Sequence, residues 1–180
     1  EPSHFELDRD RTDIAYMLHE CASVMRLQET EAQLGFRLEV PDEPLYTLAD
    51  ETRLRQVVYN LLSNAIKFTD PGGTVSLVGR RAASGGVEIL VADTGIGMDA
   101  QDLKIALQPF MQVKHSNRRA SAGTGLGLPF AKSIVQLHGG TLNVTSARGQ
   151  GTTVHVCLPP AADEAADEYL LPTLERPALP

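Results

Sequence analysis

Hydrophobic residues recur at helical spacing in some stretches of this chain and alternate with polar ones in others. Ile14, Met17, Leu18, Cys21, Val24 and Met25 lie on one face of a helix that Asp13 can cap. Val57, Leu61, Leu62, Ala65 and Ile66 form the apolar side of a second helix, with Asp50 as its N-cap and Glu51 in its first turn. It stops at Thr69-Asp70-Pro71-Gly72-Gly73. Asp99 to Leu107 reads as a short helix, and Leu128 to His138 as a longer one closed by Gly139-Gly140. Period-two patterns mark strands at Phe5–Asp8, Phe36–Val40, Tyr46–Leu48, Thr74–Arg80, Val87–Ala92, Thr141–Thr145 and Thr152–Leu158. Ser84-Gly85-Gly86 and Arg148-Gly149-Gln150-Gly151 turn the last four of these into two hairpins. Hairpins separated by helices imply α+β: two layers, with a mixed, mostly antiparallel sheet and helices on one face.

Composition narrows the class. The 180 residues are 42% hydrophobic and 22% charged, enough for one domain with a real core. The formal charge of -7 argues against a nucleic-acid binder. The lone pair Cys21 and Cys157 implies no disulfide framework, and their apolar surroundings suggest buried, reduced thiols. No apolar run reaches membrane-spanning length, so the expectation is a soluble, cytoplasmic domain without membrane contact of its own, from a parent chain able to carry an anchor elsewhere. The domain is expected over 1–159. The segment 160–180, rich in Ala, Pro and acid, reads as a disordered tail.

The polar side of the second helix carries the first chemical signal. At about 100° per residue, Asn60, Asn64 and Lys67 fall within roughly 60° of one another, with Ser63 beside them. Such a stripe can be an ordinary solvated face. Solvated faces, however, usually carry Glu, Lys or Arg, whereas asparagine is a poor helix former. Two carboxamide oxygens suit a hard cation such as magnesium, and an ammonium suits phosphate. Lys67 also sits in a last turn, where the helix dipole favours any cation.

Two glycine-rich segments follow. Asp93 ends a strand and opens Thr94-Gly95-Ile96-Gly97. This is turn chemistry, and it is also a way to hold a carboxylate against an exocyclic amine. Adenine offers that amine where guanine offers an oxygen, so Asp93 would select adenine. Gly95 and Gly97 would let the backbone approach the base without a Cβ in the way. Gly123-Thr124-Gly125-Leu126-Gly127-Leu128 runs into a helix whose N-terminus can take an anion. It is neither a dinucleotide fingerprint nor a P-loop, because Ala131 precedes Lys132 where a P-loop needs glycine. Between them, Lys114 to Gly123 is basic, small and polar, and reads as a mobile loop. His19-Glu20 lacks the setting of a phosphoacceptor: Val24 stands where proline would be expected. His19 therefore reads as a rim residue and His138 as a last-turn histidine favoured by the dipole. No His, Cys and acid cluster has zinc-site spacing.

These segments, in this order, resemble sensor histidine kinases. Asp50 through Thr69 looks like their N box, Asp93-Thr94-Gly95-Ile96-Gly97-Met98 like the G1 box, Pro109-Phe110 like the F box, and Gly123 through Leu128 like the G2 box. The resemblance runs from about Phe5 to Pro159. It implies the Bergerat ATP-binding fold, with Asn60 and Asn64 serving Mg2+ and the phosphates and Lys67 on phosphate. Asp93, Gly95, Gly97 and Met98 would surround adenine. The G2 residues Gly123, Thr124, Gly125, Leu126, Gly127 and Leu128 would bind ATP, and Lys114 to Ala122, with Arg118 and Arg119, would form the lid. It further implies ATP or ADP as ligand, transfer of the γ-phosphoryl to a histidine on a dimerisation-phosphotransfer domain absent from this chain, and a response regulator as indirect partner. Related ATPases carry a glutamate at the position of Asn60. An amide cannot act as a base near neutral pH, which favours a kinase over a stand-alone ATPase. A non-catalytic nucleotide sensor is the other alternative, disfavoured by the intact Asn60, Asn64, Lys67, Asp93 and Gly125.

Overall fold

The computed structural model describes residues 6–111 and 127–161. The expected lid, including Lys114, Arg118 and Arg119, lies outside these residues, as do Gly123 through Leu126 and the tail from 162.

The elements run β1 (Asp10–Asp13), α1 (Ile14–Glu31), β2 (Gly35–Glu39), β3 (Tyr46–Ala49), α2 (Glu51–Lys67), β4 (Thr74–Arg81), β5 (Val87–Asp93), α3 (Ala100–Ala106), α4 (Gly127–Leu137), β6 (Thr141–Ala147) and β7 (Gly151–Leu158). Five strands form one sheet in the order β2-β4-β5-β7-β6. The β2–β4 pair is parallel and the other three pairs are antiparallel. The expected mixed, mostly antiparallel sheet is what the chain forms. Alternation puts Val75 and Leu77 of β4, Val87, Ile89 and Val91 of β5, and Val154, Val156 and Leu158 of β7 on the buried face, beneath α1, α2 and α4. On the other face, Glu88, Leu90, His155 and Cys157 stay partly exposed among the described residues.

Helix α2 explains why its polar side is available. Asp50 caps it by accepting a hydrogen bond from the Arg53 amide at 3.0 Å. Leu54, Val57, Val58, Leu61, Leu62 and Ala65 are buried against the sheet and the neighbouring helices. Burial of these side chains contributes roughly 10 kcal/mol of gross transfer free energy. Two asparagines in a helix interior cost about 1 kcal/mol between them, so packing holds the helix in spite of them.

Several expectations need correction. Of the expected strand Phe5–Asp8, residues 6–8 form no strand and Phe5 lies outside the described residues; the first described strand is Asp10–Asp13. It pairs with β3 in a separate two-stranded antiparallel sheet. Asp13 caps α1 as expected, and its Oδ1 also accepts from the Leu45 amide at 3.2 Å, which ties this small sheet to the helix. Val24 is 58% exposed and does not belong to the buried face of α1. Cys21 is buried as expected, but Cys157 is only half-buried. It lies two residues from His155 on β7, so both side chains take the open side of the sheet while Val154, Val156 and Leu158 take the core side.

Candidate nucleotide site

Three separated segments converge at the C-terminal half of α2. Asn60 and Asn64 are half-buried, Ser63 and Lys67 exposed. Neither carboxamide hydrogen-bonds to another described residue, although each sits one helical turn from the other on a partly covered face. Helix α4 packs on α2 and begins beside Asn64: a Cβ placed on Gly127 would stand 3.4 Å from the Asn64 Nδ2. The N-terminus of α4, with its outward-pointing amides, is therefore next to the asparagine pair.

The third segment is the loop after β5. Asp93 is half-buried, and its Oδ1 accepts from the Gly95 amide at 2.8 Å and the Thr152 amide at 3.3 Å. Its other oxygen accepts from no described residue. Burial raises the Asp93 pKa above the ordinary carboxylate value, with the two amides pulling in the other direction. The loop is held on both sides. The Ile96 amide donates to the Phe68 carbonyl at the end of α2 (3.1 Å), and the Gly149 amide donates to the Ile96 carbonyl (2.8 Å). The Met98 amide donates to the Ser146 Oγ at 2.8 Å.

This fastening changes the reason for the glycines. A Cβ on Gly95 would lie 2.3 Å from the Phe68 carbonyl oxygen, and one on Gly97 would lie 1.8 Å from the Ala147 oxygen. Gly97 also has φ +64°. Both are required by protein packed against protein, a demand separate from the access for a base that the sequence suggests. Gly151, which the sequence marked only as a hairpin turn, has the same duty: φ +82°, with a Cβ 1.9 Å from the Asp93 carbonyl oxygen. The turn Arg148-Gly149-Gln150-Gly151 therefore carries the Asp93 loop. Arg148 adds ion pairs to Asp99 (2.9 Å) and Asp102 (2.8 Å) at the start of α3.

A further positioning residue is His138. It is buried, not a solvated last-turn cation. Its Nδ1 donates to the Ile134 carbonyl at 2.8 Å, and its Nε2 accepts from the Asp50 amide at 3.0 Å. Burial lowers its pKa, which favours the neutral ring these bonds require. His138 so joins the end of α4 to the cap of α2, the two helices that face the site. His19 sits at the rim, 3.3 Å from the Pro41 carbonyl oxygen.

The arrangement offers a half-buried hydrogen-bond acceptor, two hard oxygen donors, a lysine and a helix N-terminus along one path. That set fits a nucleotide base at one end and a metal-bound polyphosphate at the other. Comparison with known proteins bears on the nucleotide part of this reading. Residues 49–162 match the family model described as histidine kinase-, DNA gyrase B-, and HSP90-like ATPase, and the chain belongs to that family. Within it, the likeness is to the catalytic ATP-binding domains of sensor histidine kinases. The chain is 40% identical over 159 residues to the histidine protein kinase DivJ of Caulobacter vibrioides, covering 88% of this chain and 26% of that one. It is 41% identical over 156 residues to the circadian input-output histidine kinase CikA of Synechococcus elongatus, covering 86% and 20%. The crystal structure of full-length ShkA in complex with AMPPNP superposes with a TM-score of 0.75 at 31% identity, over 89% of this chain and 33% of that chain. The catalytic domain of ThkA, at 24% identity and TM-score 0.74, shares the fold. The chain thus spans about a quarter of the length of DivJ.

Proposed function

We propose that this domain binds Mg-ATP and supplies the γ-phosphoryl to a histidine on a separate dimerisation-phosphotransfer domain, from which a response regulator would receive it. The observation that carries the reading is the convergence of two carboxamides without a hydrogen-bond partner among the described residues, Asn60 and Asn64, with the start of α4 at Gly127. The free oxygen of Asp93 accepts from the adenine amine, and its buried setting rejects a carbonyl there. Asn60 and Asn64 are the oxygen donors for magnesium, whose chemistry is to neutralise charge on the transferring phosphoryl. Lys67 and the amides of α4 add positive potential along the phosphates. Lys114, Arg118 and Arg119 extend this as the lid, and Gly123, Thr124, Gly125 and Leu126 complete the phosphate side. The domain occupies residues 1–159 of a cytoplasmic signalling protein.

Nothing in this constellation deprotonates water. Asn60 stands where a general base would be needed for hydrolysis, while a neutral imidazole needs no such base to attack phosphorus. Catalysis then rests on positioning and charge neutralisation. The test is incubation with labelled ATP and a supplied dimerisation-phosphotransfer domain. Label should appear on that domain's histidine, with little free phosphate and none on this chain alone. Steady ATP turnover without a histidine acceptor would replace the kinase reading with an ATPase.

A further inference from the structure

The open face of the sheet carries a cluster that the nucleotide site does not use. The β5–β7 register places Glu88 directly across from Cys157, with His155 one position along the same face, across from Leu90. The His155 Nε2 lies 3.6 Å from the Glu88 Oε1 and 3.4 Å from the Cys157 Sγ. All three donor atoms fall within 4.8 Å of one another, and all three residues are partly exposed. Free cysteine is among the most buried residue types, so a thiol on the solvent side of a strand asks for a reason.

We propose that Glu88, His155 and Cys157 form a zinc site on this face, remote from the nucleotide-binding helices. The geometry suits the ion. Tetrahedral zinc bonds to sulfur, nitrogen and oxygen imply donor–donor edges of about 3.4–3.6 Å, and the two measured edges fall there before any adjustment. A single ring nitrogen faces both other donors, as one ligand atom facing a shared centre must. The Arg80 Nε donates to the Glu88 Oε2 at 2.7 Å, which holds the carboxylate and leaves Oε1 for the metal. Mixed thiolate, imidazole and carboxylate donors match a borderline cation such as zinc better than magnesium or calcium. Three protein ligands leave the fourth position open to water or to a side chain from outside the domain. On the sheet, the ion would staple β5 to β7, the two strands that lead to Asp93 and away from Gly151.

The site is tested on the reduced, metal-free chain by calorimetric zinc titration and by cobalt(II) absorption. The expected result is one zinc per chain and a thiolate-to-cobalt charge-transfer band that disappears in Cys157→Ser. Glu88→Gln should weaken zinc by about tenfold or more, the scale seen when metal-site support is removed. Both variants should retain thermal stability without metal and unchanged ATP affinity, because the residues face away from the core and the nucleotide. Absence of stoichiometric zinc binding would overturn the proposal. So would a cobalt band of equal strength in Cys157→Ser, which would place the thiolate at Cys21.

Discussion

At the residue scale, Asp93 is held at a cost. Burial raises its pKa, so the folded state disfavours the carboxylate relative to the unfolded chain. The stability linked to this group is fully present below the unfolded pKa near 3.8 and is lost as pH rises through the folded pKa. Near neutral pH the ionised group therefore weakens the fold, a cost that the proposed recognition of the base would explain. Asp93→Asn preserves an oxygen for the Gly95 and Thr152 amides but points an amide toward the adenine amine. We expect ATP affinity to fall by at least about tenfold while the melting temperature at pH 7 holds or rises. A scanning fluorimetry series with a nucleotide titration checks both; a large loss of stability would mean that Asp93 is structural. Asp93 and the asparagine stripe could be singled out in the sequence because each is a local pattern. The sequence could not show the packing demand on Gly97, because the carbonyl a Cβ would strike belongs to Ala147, fifty positions along the chain.

At the scale of elements, the site depends on how three are fastened together. Gly97→Ala brings both a disfavoured φ and a collision with backbone, so the loop must move. Gly72→Ala has φ +87° and nothing within 4 Å of the new Cβ. We expect Gly72→Ala to cost about 1–2 kcal/mol in denaturant unfolding, and Gly97→Ala to cost clearly more and to weaken ATP binding as well. Equal costs would show that the Ala147 contact relaxes freely.

His138 is the corresponding fastener between α4 and α2. Its folded pKa is lowered below 6.5, so its contribution is fully present above the unfolded pKa and lost as pH falls from there through the folded value. His138→Ala leaves the Asp50 amide buried and unpaired and opens space, which we expect to cost about 3 kcal/mol at pH 7.5. In pH-dependent unfolding the difference from wild type should shrink as pH drops below 6.5. A difference independent of pH would place the histidine's worth in packing alone. Helical spacing located this residue and the dipole suggested a charge for it. Only the contact with Asp50, 88 positions away, reverses that reading.

At the scale of the molecule, the periodic patterns foretold the layers well: the caps Asp13 and Asp50, the two hairpins, and the one-sided burial all follow from local sequence. Strand β3 was legible at Tyr46–Leu48, but its partner β1 escaped because Asp10–Asp13 is four residues of almost wholly polar sequence, and the pairing of the two lies in no local pattern. The half-exposure of Cys157 escaped because strand parity, not the average hydrophobicity of the segment, decides which side faces the core. The cluster with Glu88 needs the β5–β7 register, which no spacing along the chain contains.

The central claim is that α2, the Asp93 loop and the start of α4 make one site for an adenine nucleotide with magnesium. Calorimetric titration with non-hydrolysable ATP and GTP analogues, each with and without magnesium, measures this directly. The account predicts one site per chain, tighter binding of the ATP analogue by at least about tenfold, as expected when a buried acceptor meets another acceptor, and weaker binding when magnesium is removed. Equal affinity for the two analogues, or binding indifferent to magnesium, would contradict it.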